Sequence, residues 1–268
     1  MEKEVKKRTA GDIVRYVVMA IALCIFCYSG YQLVSIYLEY KAGTDEYSAL
    51  EDQFKVEDAG ILEPVQQGTE EGDQEPTMKN PIDFEGLKKI NSDIIAWISV
   101  GAININYPVA QGEDNDYYLH HTFENQENIA GCIFVDYQCS KDFTDSNTII
   151  YGHNMRNESM FGKLKKFKEE DVFNKDAFFW IYTPDRIYCY EIFGCQEVGS
   201  TSETYQHQFD DKKKFQEYID SIFTDSIFIR DIEVTSEDKI VTLSTCTGNQ
   251  ATRFLVQGKL LKTYKAIQ

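Results

Sequence analysis

The chain has 268 residues, 43% of them hydrophobic and 13% aromatic, enough for one domain with a substantial core and accessory segments. Forty-four acidic residues against 27 basic ones give a net charge of −17, which repels phosphate backbones and excludes a nucleic-acid partner. Seven cysteines, an odd number at irregular spacing, do not read as a disulfide framework. With only four histidines, no set of ligands stands at zinc spacing, and neither a metal nor another cofactor is expected.

Basic residues Lys3, Lys6, Lys7, Arg8 and Arg15 crowd the first fifteen positions, which are expected to be cytoplasmic. From Tyr16 to Leu38 no residue is charged, a run long enough to cross a hydrocarbon layer about 30 Å thick. It is longer than the roughly 7–15-residue core of a signal peptide. Glu39, Tyr40 and Lys41 follow it and make a poor cleavage site, so 16–38 reads as an uncleaved transmembrane helix. Residues 39–80 are acidic and poor in apolar side chains, with Gly60, Pro64, Gly68, Gly72 and Pro76 among them. They read as an extracellular tether, with at most a helical turn around Tyr47–Phe54. Cys24 and Cys27 form a CxxC inside the apolar run, with no second pair nearby.

The folded domain is expected over 81–268. Phe84, Leu87 and Ile90 recur at helical spacing and predict a helix over Asp83–Asn91. The stretch Asp93–Val100 and the run Ile103–Val109 read as a helix end and two short strands around a turn at Gly101. Gly131–Tyr137 and Thr148–Tyr151 read as further strands, and Ser159–Phe167 as a helix with Met160, Phe161, Leu164 and Phe167 on one face. Ala177–Thr183 and Arg186–Val198 read as a hairpin turning at Pro184-Asp185. A helix over Asp211–Phe223, capped by Asp210, carries an apolar stripe of Phe215, Ile219, Ile222 and Phe223. Finally, Lys239–Ser244 and Phe254–Leu261 form a hairpin around Gly248-Asn249. Many short strands with a few helices predict a mainly β fold, a barrel with helical additions.

That last hairpin brings Cys246, at the end of one strand, near Arg253, at the start of the next. Cys132, Cys189 and Cys195 sit in apolar strands and read as buried small hydrophobes, whereas Cys246 is flanked by Thr245 and Thr247. A nucleophilic thiol needs a proton-transfer partner, usually a histidine distant in sequence. His120 and His121 read as packing residues and His207 as a loop residue. His153 follows the strand Thr148–Tyr151 directly after Gly152, where a side chain is both fixed and exposed.

Together, TLSTC at 242–246, Arg253 in RFLVQGKL, and YGHNM followed by SMFGKL at 151–164 resemble the sortases, cysteine transpeptidases of Gram-positive cell surfaces. Trp97-Ile98, Tyr107-Pro108-Val109 with Gln111, the run Asp114–Leu119, and a helix between the hairpin and the cysteine strand are similar to class B. The resemblance covers about 83–264 and implies an eight-stranded barrel after an N-terminal membrane anchor. It implies Cys246 as nucleophile, His153 as proton carrier and Arg253 as substrate and oxyanion ligand, with Ser244 and Thr245 lining the substrate groove. The implied reaction cleaves a C-terminal sorting signal of a secreted protein, NPxTx-like for class B, after threonine. A thioacyl-enzyme then passes to a peptidoglycan precursor or other amine. Hydrolysis or pilin polymerisation would use the same residues; a non-catalytic scaffold is disfavoured because all three are intact.

Overall fold

The computed structural model describes residues 10–55, 75–200, 205–248 and 251–267. Two compact units are present, Met1–Ala42 and Gly43–Gln268. Helix α1, Ala10–Phe54, supplies the first unit, and its most apolar 18-residue window has a mean hydropathy of 2.0. By length and composition it can cross a membrane. Leu23, Phe26, Leu33 and Leu38 are exposed along it, as are the unpaired Cys24 and Cys27.

The sequence places a tether over 39–80, but α1 runs on to Phe54, and from Gly43 onward it belongs to the second unit. The cause is apolar spacing. Tyr47, Leu50 and Phe54 fall on one helical face and are each no more than 5% exposed. Three buried anchors outweigh the acidic composition that argued for a solvated coil. The span 56–74, also counted in the tether, lies outside the described residues. Strand β1, Thr77–Lys79, then pairs in parallel with the chain's final strand, so the domain begins ahead of residue 81.

In the second unit, α2 (Phe84–Ile90) starts where the Asp83 carboxylate accepts from Gly86 N at 2.9 Å. Next come β2 (Ile94–Val100), β3 (Ile105–Ala110), the short α3 (Tyr117–His120), β4 (Ile133–Val135) and β5 (Asn147–Tyr151). After α4 (Glu170–Lys175), β6 (Phe178–Tyr182) and β7 (Arg186–Gly199) form the predicted hairpin. Helix α5 (Lys212–Asp225), β8 (Phe228–Ile229), β9 (Ile240–Cys246) and β10 (Thr252–Ile267) complete the chain. The strands run β10-β9-β5-β4-β3-β2-β6-β7, and β7 pairs back onto β10. This is the expected closed eight-stranded barrel, mainly β with added helices; β1 and β8 are short additions to β10 and β7. Closure removes the unpaired edges an open sheet would expose.

Two local predictions change. The helix expected from Ser159 is a 3₁₀ helix over Phe161–Lys168, because Glu158 (φ 62°) and Met160 (φ 53°) break the right-handed path before it. Helix α5 is capped by Asp211, whose carboxylate accepts from Lys214 N at 2.8 Å, one position later than expected. Its stripe survives the shift: Phe215, Ile219 and Ile222 pack with Phe193 and Ile240 on the barrel wall. Gly258 lies at a bulge in β10, and a Cβ there would come within 2.2 Å of the Phe179 ring. That ring stacks on Tyr190 at 5.1 Å, so this wall closes only around a residue without a side chain.

Candidate active site

Strand register brings the site together. In the β9–β10 ladder Arg253 lies directly opposite Cys246, Phe254 opposite Thr245, and Leu255 opposite Ser244. Directly opposed residues send their side chains to the same face, so the thiol and the guanidinium share one side of the sheet. Strand β5 runs parallel to β9 with Tyr151 beside Ser244, and Gly152 N donates to Ser244 O at 3.1 Å. Two residues beyond that pair lie His153 and Cys246. Histidine and cysteine therefore leave adjacent strands at the same level, although they are far apart in sequence. Gly152 is required between them, because a Cβ there would meet Ile133 Cδ1 at 2.4 Å and Phe161 Cγ at 2.7 Å.

Cys246, His153 and Arg253 all line one cleft of about 250 Å³, with Ser244, Thr245, Tyr151, Gly152, Asn115, Leu119, Phe134, Ser200 and Tyr205. Ser244 Oγ and the Tyr205 hydroxyl are 2.9 Å apart, and the Tyr205 ring stacks on Tyr151 at 6.0 Å. The Tyr151 hydroxyl donates to Asp136 Oδ2 at 2.9 Å, and Asn115 Nδ2 donates to the same oxygen at 2.9 Å. Asp136, itself buried, thus fixes two residues of the wall. Thr245 is only 2% exposed, and its hydroxyl has no protein partner among the described residues.

The imidazole of His153 has one nitrogen committed. Nε2 stands 2.7 Å from Leu119 O, and a carbonyl can only accept, so Nε2 carries a hydrogen. Protons can be exchanged only at Nδ1. Burial depresses the His153 pKa below its ordinary value, opposed by the Leu119 bond and reinforced by the nearby His120. The side chain is therefore mostly neutral at neutral pH. Tyr205 responds to the same cleft: burial raises its pKa, the Ser244 bond and the Arg253 charge lower it, and Cys246 raises it. Its hydroxyl consequently lies within the field of both the cation and the sulfur.

Burial sorts the remaining cysteines and histidines. Cys132, Cys189 and Cys195 are buried as expected, with pKa values pushed up to about 12, 12 and 11, and Cys139 is buried likewise. Such thiols are inert at neutral pH. Cys246 alone among the thiols of the second unit is partly exposed. His121 stacks on Tyr117 at 4.1 Å, whereas His120, expected to pack, is exposed beside Asp116. Sequence reasoning did not single out Tyr151, Tyr205, Leu119 or Asn115 as wall residues. Tyr151 was within reach, because it precedes the Gly152-His153 step on the same strand. Tyr205 has no such signal, since it enters the cleft from a loop.

A closed barrel whose strand ends gather a partly exposed thiol, an imidazole and a guanidinium in one cleft defines a cysteine-nucleophile enzyme of the acyl-transfer class. The Sortase domain family model matches residues 98–261. Sortase B of Listeria monocytogenes is 31% identical over 244 residues, covering 90% of this chain and 94% of its own. A solved structure of sortase B from Bacillus anthracis superposes with a TM-score of 0.70 at 29% identity, covering 85% of this chain and all of that one. Clostridium perfringens sortase B superposes with a TM-score of 0.64 at 36% identity, covering 67% of this chain and all of its own. The chain belongs to the sortase family of cysteine transpeptidases, with class B features throughout.

Proposed function

We propose that the protein is a membrane-anchored sortase that cleaves a C-terminal sorting signal, NPxTx-like, after its threonine. The surface protein so released is joined to a peptidoglycan amine. In this reading residues 1–15 are cytoplasmic, 16–38 span the membrane and the catalytic domain lies outside the cell, as the basic residues before the span favour. The observation that carries the proposal is the register that brings Cys246, His153 and Arg253 into one cleft.

The Cys246 thiol gives its proton to His153 Nδ1, and the thiolate so formed attacks the threonine carbonyl carbon. The carbonyl electron pair moves onto oxygen, where Arg253 stabilises it; a guanidinium stays charged at every working pH. Collapse of this intermediate breaks the C–N bond, and the departing amine takes a proton from His153 Nδ1. The incoming amine then gives a proton to Nδ1 as it attacks the thioester, which returns the sulfur as thiolate. Ser244, held by Tyr205, and Thr245, whose hydroxyl is uncommitted, would line the bound peptide.

A sorting-peptide library offered to the full chain with a diamine or oligoglycine acceptor tests this reading. Mass spectrometry is expected to find an acyl adduct on Cys246 and an amide product, and Cys246→Ala is expected to lose both. Cleavage that survived Cys246→Ala would overturn the mechanism, and release of free acid alone with every amine would overturn transfer.

A further inference from the structure

We propose that Tyr47, on the last turns of α1, is a positioning residue for His153, so that the segment after the apolar stretch is a working part of the active cleft. The inference rests on the reading of His153 as proton carrier. Tyr47 is 5% exposed, and its hydroxyl engages one loop: it donates to Gly131 O at 2.6 Å, accepts from Phe123 N at 3.2 Å and lies beside the Cys132 thiol. Anchoring a helix by burial needs no hydroxyl; Leu50 and Phe54 already do that on the same face.

The loop that Tyr47 grips touches the imidazole. Gly131 has φ +56°, and a Cβ there would lie 2.9 Å from Leu119 O and 3.0 Å from His153 Cδ2. Leu119 O is the acceptor that holds His153 Nε2 at 2.7 Å. Cys132 N, one residue past Gly131, donates to Tyr118 O at 2.8 Å, which ties the two sides of this loop together. A second route runs through the ring of Tyr47, which meets Tyr107 edge-on at 5.3 Å and 85°. The Tyr107 hydroxyl accepts from Met160 N at 3.0 Å, at the strained turn where Phe161 N donates to His153 O at 3.0 Å. Both loops that locate the histidine, one at its ring and one at its backbone, therefore bear on a single tyrosine.

The groups facing these side chains set what a titration would report. His120 bears electrostatically on His153, with Cys246 and Arg253 in the same cleft. Glu46 and Cys132 flank Tyr47, and Glu51 acts on Tyr107. None of these is removed by Tyr47→Phe, which deletes only the hydroxyl. Loosening the Leu119 contact withdraws the bond that favours the imidazolium, so the His153 pKa moves further down.

The experiment uses the full chain in detergent micelles, with ¹⁵N-labelled histidine followed by NMR across pH and steady-state kinetics on a sorting peptide and amine. His153→Gln assigns the signal. Tyr47→Phe is expected to lower the His153 pKa, weaken its Nε2–H tautomer preference, and reduce kcat about 3–10-fold with KM unchanged. Leu50→Ala, which loosens the same helix without touching these bonds, is expected to lower Tm and leave the His153 titration in place. If Tyr47→Phe does not fold, Tyr107→Phe reads the second route and is expected to shift the titration in the same direction. A Tyr47→Phe protein with lowered Tm but an unchanged His153 titration and kcat would make Tyr47 an anchor only and overturn the proposal. The NMR readout needs no turnover: were the wild type inactive on every sorting peptide, the function would fall, and the titration alone would still decide the role of Tyr47.

Discussion

At the scale of single residues, the cleft combines one permanent charge with two titratable groups. Replacing Arg253 with lysine keeps the charge but loses the planar fork, so kcat/KM on a sorting peptide is expected to drop about 10²–10³-fold. A value within threefold of wild type would remove Arg253 from the transition state. His153 makes a pH prediction. Its folded pKa is depressed, so the unfolded chain binds a proton more readily, and its contribution to stability is present above pH 6.5. That contribution is lost as pH falls from 6.5 through the folded value. Tm is accordingly expected to fall between pH 7 and 5, and His153→Gln, which cannot titrate, to flatten that fall; equal slopes in both proteins would contradict it. Cys246 and His153, two of the three residues that share the cleft with Arg253, stand out in the sequence because chemistry-bearing side chains at strand ends contrast with apolar runs. Tyr205 does not, because a loop residue carries no periodic signal and its partner Ser244 reads as one more buried strand position.

Helices and strands show where sequence patterns suffice and where they fail. The stripe on α5 was readable from its 3.6-residue spacing, but its cap was not, since Asp210 and Asp211 are adjacent and either can precede a helix. The structure assigns the bond to Asp211. Asp211→Ala is expected to cost about 1 kcal/mol in chemical denaturation, and Asp210→Ala far less. The 3₁₀ stretch after Met160 was unreadable for a different reason: Glu158 and Met160 take positive φ, which neither residue type announces. On β10, Gly258→Ala forces a methyl into the Phe179 ring, for an expected loss of about 1–3 kcal/mol. At roughly 2–4 °C per kcal/mol this is visible by calorimetry, and an unchanged Tm would show that the ring can move aside. The acidic run 39–54 misled through composition: its average predicts a coil, while three apolar side chains at helical spacing decide the outcome.

For the molecule as a whole, closure of the barrel by β7 and β10 was legible only as a family expectation. Neither strand's own sequence says which neighbour it takes, and β10 alone pairs with β1, β7 and β9. The same long-range pairing bears on when the enzyme becomes reactive. His153 and Cys246 reach one cleft through the parallel alignment of β5 and β9, a pairing between distant parts of the chain that cannot form before much of the barrel is in place. In the proposed mechanism the thiol has, until then, neither its proton partner nor its guanidinium. In that mechanism chemical competence is a product of folding itself, because the groups proposed to serve the thiol gather only in the finished barrel.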